Sequence, residues 1–231
     1  MVAWWSLDET SGMVADDIAG FNGAGAYFGT PVPVTGKVDG ALKFNGTTDY
    51  VEVADSPELN FGTDDFSISA WVKTNISTGT RTVADKRSGT NYNPLGYSLF
   101  IYKGHVGLQL ADRSGFYNYS NAAPSSTSIA DGQWHHIAVT VARNDIRGLR
   151  IYIDGMLELT ADPMPYNGSL DNTGVFRIAS QSYVVDPDYM FSGFIDELAL
   201  FNRVITSADV RSIWSADRFG NCKSPVSADK D

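Results

Sequence analysis

The clearest fold signal in the chain is the stretch Leu149-Arg150-Ile151-Tyr152-Ile153-Asp154-Gly155-Met156-Leu157-Glu158-Leu159-Thr160. Apolar and other side chains alternate on both sides of its central Asp-Gly pair, as in strands that each bury one face. Asp-Gly is favoured in two-residue hairpin turns, because glycine tolerates the positive φ that such turns require. The stretch therefore predicts a β-hairpin.

The same period of two recurs along most of the chain. In residues 66–73, Phe66, Ile68 and Val72 fall on one face. Gly, Asn, Asp and Pro separate such runs, which is the pattern of short strands in an antiparallel sandwich. The fold class predicted is all-β, a two-sheet antiparallel β-sandwich. Further strands are predicted at residues 50–53, 97–102, 105–110, 137–141, 175–179 and 191–201.

One segment near the end of the chain has a helical pattern. Thr206 can accept a hydrogen bond as a helix cap, and Asp209 follows three residues later, as in a capping box. Val210, Ile213 and Trp214 then share one face at helical spacing. We expect one short C-terminal helix that packs on the sandwich.

Composition narrows the class of protein. The chain has 231 residues, of which 43% are hydrophobic and 19% charged, as in an ordinary globular protein. Its formal net charge of −10 disfavours binding to a nucleic acid backbone. We expect no membrane-spanning helix and no signal peptide, and a single cysteine allows no intrachain disulfide. The predicted organisation is one domain over residues 1–220 and a tail or linker over residues 221–231.

A series of short motifs, taken in order, resembles a known family. These motifs are Trp5-Ser6-Leu7-Asp8, Phe44-Asn45-Gly46, residues 66–73, Trp134-His135-His136, Ile151-Tyr152-Ile153-Asp154-Gly155 and Phe194-Ile195-Asp196-Glu197-Leu198. Over residues 2–216 they resemble the laminin-G-like jelly-roll domain of the concanavalin A-like lectin/glucanase superfamily. The resemblance implies two curved sheets with a convex and a concave face. Members include carbohydrate-binding modules, adhesion domains, hydrolases and lyases, so the fold alone assigns no function.

The resemblance also implies a structural Ca²⁺ ion on the convex side. Carried onto this chain, its ligands are Asp17, Asn22, a group near Asn45-Gly46, and Asp196. Carboxylate, amide and carbonyl oxygens are the ligands that Ca²⁺ prefers. Asp196 lies within an apolar strand, where a buried carboxylate needs a partner or a cation. The alternatives for Asp196 are a solvent-facing side chain or a salt bridge to an arginine.

No pair of acids has a spacing typical of a glycosidase of this fold. A retaining glycosidase needs two carboxylates about 5 Å apart. Glu158 and Asp162 come nearest in sequence, but no third acid accompanies them and Pro163 interrupts the strand. Asp196 and Glu197 are adjacent, so alternation predicts that they point to opposite faces. We therefore predict that the protein is not an enzyme.

Aromatic and polar side chains are concentrated in the predicted loops. Such loops on a rigid sandwich suit sugar binding, because aromatic rings stack on the C–H faces of sugars and polar side chains fix the hydroxyls. The alternative for each tyrosine is a structural role at a loop base or sheet edge, and we assign Trp71 and Trp134 to the packed interior. The predicted ligand-binding residues, around the concave mouth that the resemblance implies, are Arg87, Tyr92, Arg113, Tyr117, Tyr119, Gln181 and Tyr183.

The sequence thus predicts a non-catalytic, lectin-like module that binds a glycan or polysaccharide and carries structural calcium. The resemblance implies that it is attached to other domains of a larger secreted or cell-surface protein. A protein-binding adhesion domain of the laminin-G type is the main alternative, and a polysaccharide lyase or glycoside hydrolase is the third. Neither nucleic acid binding nor membrane insertion is expected.

Overall fold

The computed structural model describes residues 1–90, 93–113, 119–121 and 124–217, with the backbone alone for 119–121. The tail predicted from residue 221 lies outside this range. The described strands are β1 (Ala3–Trp5), β2 (Val14–Ala15), β3 (Gly25–Phe28), β4 (Val32–Val38), β5 (Gly40–Asn45), β6 (Tyr50–Val53), β7 (Phe66–Lys73), β8 (Thr80–Thr90), β9 (Asn93–Tyr102), β10 (His105–Asp112), β11 (Tyr119–Asn121), β12 (Trp134–Val141), β13 (Leu149–Ile153), β14 (Met156–Ala161), β15 (Phe176–Ile178) and β16 (Ser192–Phe201). The α-helix α1 spans Ser207–Ser215, and short 3₁₀ turns span Pro57–Leu59, Met164–Tyr166 and Pro187–Tyr189.

The strands form two antiparallel sheets of eight strands each. Sheet I has the order β14-β13-β12-β7-β16-β5-β4, with β1 paired to β16. Sheet II has the order β11-β10-β9-β8-β15-β6-β3-β2. The hairpin predicted from residues 149–160 is β13 and β14, joined by a turn in which Asp154 and Gly155 both have positive φ. The predicted antiparallel β-sandwich is confirmed.

Alternate side chains of the two sheets meet in one apolar core. Trp5 of β1 stacks on Phe176 of β15 with ring centroids 5.1 Å apart, so this contact joins sheet I to sheet II. Phe66 of β7 packs 5.3 Å from Tyr97 of β9 in the same way. Because both inner faces are apolar, the sheets exclude water from the space between them.

The C-terminal helix packs on the outer face of sheet I. Its predicted capping box is present, since the Asp209 backbone N–H donates to the Thr206 hydroxyl and the Thr206 N–H donates to the Asp209 carboxylate. Val210 is buried in a second apolar cluster with Trp4 and Tyr152. Among the described residues there is no helix with the length and apolar character needed to span a bilayer.

Two buried cations tie loops to the sandwich. The Arg143 guanidinium donates to the carbonyl oxygens of Tyr166 at 2.6 Å and Gly168 at 2.7 Å. The Lys86 ammonium donates to the carbonyl oxygen of Gly174 at 2.7 Å. A buried charge is costly unless it is hydrogen-bonded, so these bonds fix both the cations and the loops that supply the oxygens.

A histidine is buried on the outer face of sheet I. His136 lies opposite Trp71 in the strand register, and the two rings meet edge to face at 5.3 Å. Neither ring nitrogen of His136 has a hydrogen-bond partner among the described residues. Burial lowers the pKa of His136 to about 4, so the side chain is neutral at pH 7. The neighbouring His135 differs, because its hydrogen bond to Asp154 raises its pKa.

We predict that His136 makes the protein less stable as pH falls from 6.5 towards 4. In this range the histidine is protonated in the unfolded chain but stays neutral in the folded chain. Because protonation stabilises only the unfolded chain, the free energy of unfolding falls by up to about 3 kcal/mol. His136→Phe should remove this loss, as measured by urea denaturation at a series of pH values. His135→Gln is the matched control. Because the pKa of His135 is raised in the folded protein, this substitution should instead remove a loss of stability that occurs as pH rises above 6.5. An unchanged slope between pH 6.5 and 4 in His136→Phe would contradict the prediction.

Candidate ligand-binding site

The outer face of sheet II carries a buried ion pair on β8. Side chains alternate along a strand, so Asp85 and Arg87 point to this face while Lys86 points to the opposite one. The Arg87 guanidinium donates from Nε to Asp85 at 2.7 Å and from Nη1 to the Gln109 side chain on β10. Only 6% of Arg87 is exposed. These bonds hold the guanidinium in one place.

The segment that follows β15 lies against this ion pair. The Ser182 backbone N–H donates to the Asp85 carboxylate at 3.1 Å, and its hydroxyl donates to the Asp85 carbonyl oxygen. The ring of Tyr183 then packs on Arg87, with 5.1 Å between the ring centroid and the guanidinium carbon. A fixed cation below an aromatic ring stabilises the position of that ring.

A second arginine–tyrosine stack lies across β15 and β6. The Arg177 guanidinium carbon is 4.6 Å from the centroid of Tyr50. Arg177 also donates to the Glu52 carboxylate at 2.8–2.9 Å and to the Gln181 carbonyl oxygen at 2.8 Å. Phe28 of β3 stacks parallel to Tyr50 at 4.7 Å and is 40% exposed. The Gln181 bond connects this stack to the segment that carries Tyr183.

The two stacks hold aromatic rings in fixed positions on one side of the sandwich, with Phe28 exposed, Tyr183 half-buried and Tyr50 buried against Phe28. We call this set, Phe28, Tyr50, Arg87, Arg177 and Tyr183, the tyrosine–arginine face. Its arginines are neutralised by carboxylates of the same face, so it offers ring surfaces and hydrogen-bonding groups rather than net charge. A ligand with apolar C–H faces and several hydroxyl groups matches that chemistry.

Three of the sequence-predicted ligand residues, Arg87, Gln181 and Tyr183, come together on this face. Arg87 and Gln181 are each only 6% exposed, so they support the surface while Tyr183 contributes to it. Arg113 is exposed at the end of β10, where it donates to the Asn93 carbonyl oxygen at 3.3 Å. Outside the described residues lie Tyr92, Tyr117 and the side chain of Tyr119.

Sequence reasoning missed Phe28, Tyr50 and Arg177. Tyr50 and Val51 point to opposite sides of β6, and strand alternation was a usable signal for the outer-face position of Tyr50. Its ring is nevertheless buried, because Phe28 and Arg177 pack against it. Phe28 meets Tyr50 because β3 and β6 pair with these two residues in register. Pairing between strands that are distant in sequence has no local signal, so Phe28 and Arg177 could not have been found this way.

Two of the predicted calcium ligands are neighbours at the N-terminal loop. The Asn22 side-chain amide donates to the Asp17 carboxylate at 2.9 Å. Asp17 also accepts hydrogen bonds from the backbone N–H groups of Trp4 at 2.7 Å, Ala19 at 3.1 Å and Phe21 at 3.1 Å. The Asp17 oxygens are thus bonded to donors of this chain, which organise the loop.

Asn45 and Gly46 form part of a turn after β5. The Asn45 side-chain oxygen accepts from the backbone N–H groups of Thr47 at 2.8 Å and Thr48 at 2.9 Å. Gly46 has a φ of 76°, which suits glycine, and a Cβ at this position would lie 2.6 Å from the Ser192 side chain. A cation at Asn45 would have to displace hydrogen bonds that shape the turn.

Asp196 of β16 differs from the other predicted ligands because one of its oxygens lacks a partner. Its Oδ2 accepts from the backbone N–H groups of Lys37 at 2.8 Å and Val38 at 2.9 Å. Its buried Oδ1 has no hydrogen bond to any described residue. Burial, together with the negative charges of Glu197 and Asp8, raises the pKa of Asp196 to about 8.

A bulge in β16 changes the environment of the adjacent acids. Pairing with β7 is irregular between Asp196 and Ala199, and Glu197 has a φ of 54°. Strict alternation therefore fails at this point, and both Asp196 and Glu197 are buried. Within the part of the chain that the structure describes, no three His, Cys, Asp or Glu side chains are arranged to hold a metal ion.

The two packed antiparallel sheets define the class of protein as a jelly-roll β-sandwich. Residues 45–211 match the laminin G-type model of the concanavalin A-like lectin/glucanases superfamily. The chain therefore belongs to this family, as its motifs indicated.

One curated relative is the Sushi, von Willebrand factor type A, EGF and pentraxin domain-containing protein 1 of Rattus norvegicus. It is 29% identical over 134 residues, which are 54% of this chain and 4% of the relative. The chain thus spans only a small part of the length of this relative.

Solved structures share the fold at lower identity. Domain 4 of AbnA, a GH43 extracellular arabinanase from Geobacillus stearothermophilus in complex with arabinotriose, matches 91% of this chain and 96% of its own, with a TM-score of 0.68 and 21% identity. The binding domain of Botulinum neurotoxin DC in complex with rat synaptotagmin II matches 93% of this chain and 51% of its own, with a TM-score of 0.71 and 16% identity. At these identities the matches show the fold alone.

We predict that Asp85→Ala destabilises the protein by about 3–5 kcal/mol, because it leaves the buried Arg87 without its carboxylate and removes the acceptor for Ser182. Urea denaturation at pH 7 measures the change. Asp188→Ala, which removes an exposed carboxylate of the 3₁₀ turn at Pro187–Tyr189, is the control and should change stability by less than about 0.5 kcal/mol. Equal effects of the two substitutions would show that the ion pair does not organise this face.

Proposed function

We propose that this protein is a non-catalytic carbohydrate-binding module that holds a glycan against its tyrosine–arginine face. The observation that carries the proposal is the pair of arginine–tyrosine stacks, in which Arg87 and Arg177 fix the rings of Tyr183 and Tyr50. Rings that are already in place lose little conformational freedom when a ligand binds. The module belongs, on this proposal, to a larger secreted or cell-surface protein.

The charge balance of the face favours a neutral glycan. Arg87 is paired with Asp85, and Arg177 is paired with Glu52. An acidic polysaccharide would have to compete with these carboxylates for the guanidinium groups. A neutral sugar can instead stack on the exposed ring of Phe28 and bond through its hydroxyls.

The same ion pairs support a binding role over catalysis. A glycosidase needs one carboxyl group as a general acid and a second as nucleophile or base. On the tyrosine–arginine face the carboxylates of Asp85 and Glu52 are each engaged by a guanidinium group. These carboxylates position aromatic rings, and their bonds leave them poorly placed to transfer protons to a substrate.

The two solved structures described above are a sugar-bound and a protein-bound example of this fold. The arabinanase domain 4 holds arabinotriose, and this chain covers almost all of that domain. The neurotoxin binding domain holds synaptotagmin II, so a protein partner is the second candidate. The ordered ring surfaces, together with the neutralised charges, favour the glycan.

We predict that Tyr183→Ala lowers affinity for the bound glycan by at least about tenfold, because it removes the ring that Arg87 supports. Titration calorimetry with arabinotriose, then with neutral polysaccharides on affinity gels, provides the measurement. Tyr102→Ala is the matched control, since Tyr102 is an exposed tyrosine that, like Tyr183, lies beside a cation, but its cation is Lys103 and it lies at the β9–β10 turn. No retention on any glycan, with capture of a defined protein partner, would favour the adhesion alternative.

We also propose that this chain binds a structural calcium ion at Asp196. The buried Oδ1 without a hydrogen-bond partner is the observation that fits a cation. The nearby charges of Asp8 and Glu197 favour a cation at the same place. The predicted set does not fit as a single site, because the oxygens of Asp17 and Asn45 are occupied by backbone N–H groups.

We predict that 1 mM CaCl₂ raises the melting temperature of the protein by several degrees at pH 8, relative to excess chelator. In Asp196→Asn the calcium effect should disappear, because the ligand charge is lost while the side chain keeps its shape. Asp17→Asn is the comparison variant and should retain the calcium effect. An identical melting curve of the unmodified protein in calcium and in chelator would exclude the site.

A further inference from the structure

A second aromatic site lies on the outer face of sheet I, remote in the fold from the tyrosine–arginine face. It is a cleft of about 450 Å³ beside the end of α1, within the range of roughly 300–1,000 Å³ that is typical of small-molecule sites. We call it the tryptophan cleft. Its walls include Lys37, Trp71, Trp134, Asp154, Trp214 and Asp217.

Three separate elements supply the indole rings of the cleft. Trp71 comes from β7, Trp134 from the start of β12 and Trp214 from α1. Trp214 is 39% exposed and lies directly over Gly155, where a Cβ would be 2.9 Å from the indole. Glycine in this turn thus allows the helix to place an indole at the edge of sheet I.

The indoles of the cleft are supported from behind. Trp71 packs edge to face on the buried His136 at 5.3 Å. Trp134 packs against Phe194 at 6.1 Å. Aromatic side chains held in this way contribute contact area at little cost in conformational freedom, which is the usual property of a binding surface.

The charged groups of the cleft are paired within the chain. The Lys37 ammonium lies 4.9 Å from the ring centroid of Trp71 and forms a salt bridge with Asp217. The Asp154 carboxylate is bonded to the His135 ring at 2.7 Å and to the His136 backbone N–H at 2.9 Å. A ligand cation would compete with Lys37 for the indole, and a ligand anion would compete with Asp217 for Lys37. Charged ligands are therefore disfavoured, and the cleft best suits a neutral molecule with C–H faces and hydroxyl groups.

We infer that the tryptophan cleft is a second glycan site, which binds the sugar rings of a neutral oligosaccharide. The indoles of Trp134 and Trp214 contact the C–H faces of the sugar, whereas Trp71 is only 3% exposed and supports the cleft. Lys37 and Asp154 form hydrogen bonds with the sugar hydroxyls. The cleft and the tyrosine–arginine face belong to opposite sheets, so one domain can engage two glycan segments. On a repetitive polysaccharide such a pair of sites raises the overall affinity without any additional contact.

Nuclear magnetic resonance of the indole N–H groups tests the inference directly, because the chain has five tryptophans. The probes are arabinotriose, cellotriose and maltotriose, added one at a time to the full chain. At least one of them should shift the signals of Trp134 and Trp214, while the signal of Trp5 in the core stays unchanged. Trp214→Ala should weaken that binding by about tenfold or more, with the melting curve recorded to confirm folding.

Tyr183→Ala is the matched control, because it alters the other face and should leave the response of the indole signals intact. Loss of the indole response to every saccharide, with glycan binding still dependent on Tyr183, would overturn the cleft and leave the proposed function standing. An indole response together with an overall glycan affinity that Tyr183→Ala leaves unchanged would support the cleft and remove the tyrosine–arginine face as a glycan site. A response of the same indoles to tetramethylammonium but to no saccharide would overturn the assignment of a neutral sugar.

Discussion

Burial of apolar side chains between the two sheets is the interaction on which the rest of the structure depends. Inward-facing side chains such as Trp5 and Phe176 form that contact. The side chains that alternate with them point to the outer faces of the sheets and do not contribute to the core. Buried polar groups need hydrogen-bond partners, and Arg143 and Lys86 find them in backbone carbonyl oxygens. Side chains that could contact a ligand are therefore confined to the outer faces and the loops that cross them.

The outer faces of the two sheets use aromatic residues in different ways. On sheet II, Arg87 and Arg177 hold tyrosine rings from below and are themselves neutralised by carboxylates. On sheet I, the short helix adds an indole to those already present on two strands. In both places a paired cation lies against an aromatic ring.

Local sequence patterns were sufficient for the fold and insufficient for the site. Alternation, the Asp-Gly turn and the capping box at Thr206 each involve neighbours in the chain, and the structure confirms them. The sequence assigned Trp71 to the packed interior. The structure buries Trp71 on the outer face of sheet I, beside His136. A period of two separates the two faces of a strand but does not show which of them packs against the other sheet. Arg87 was predicted to contact ligand, whereas the structure buries it beneath Tyr183, because that contact depends on a loop that returns from far along the chain.

The pairing of the first strand with the last has a mechanical consequence. Ala3 of β1 lies opposite Leu200 of β16, and the two strands run antiparallel, so the chain enters and leaves the sandwich at the same end of this pair. A tensile force applied through the flanking chain would load these hydrogen bonds one after another, as in unzipping, instead of loading them together in shear. Because α1 follows β16 and packs on Trp4, the helix would detach first, β1 would then peel from β16, and the remaining strands of the two sheets would yield last.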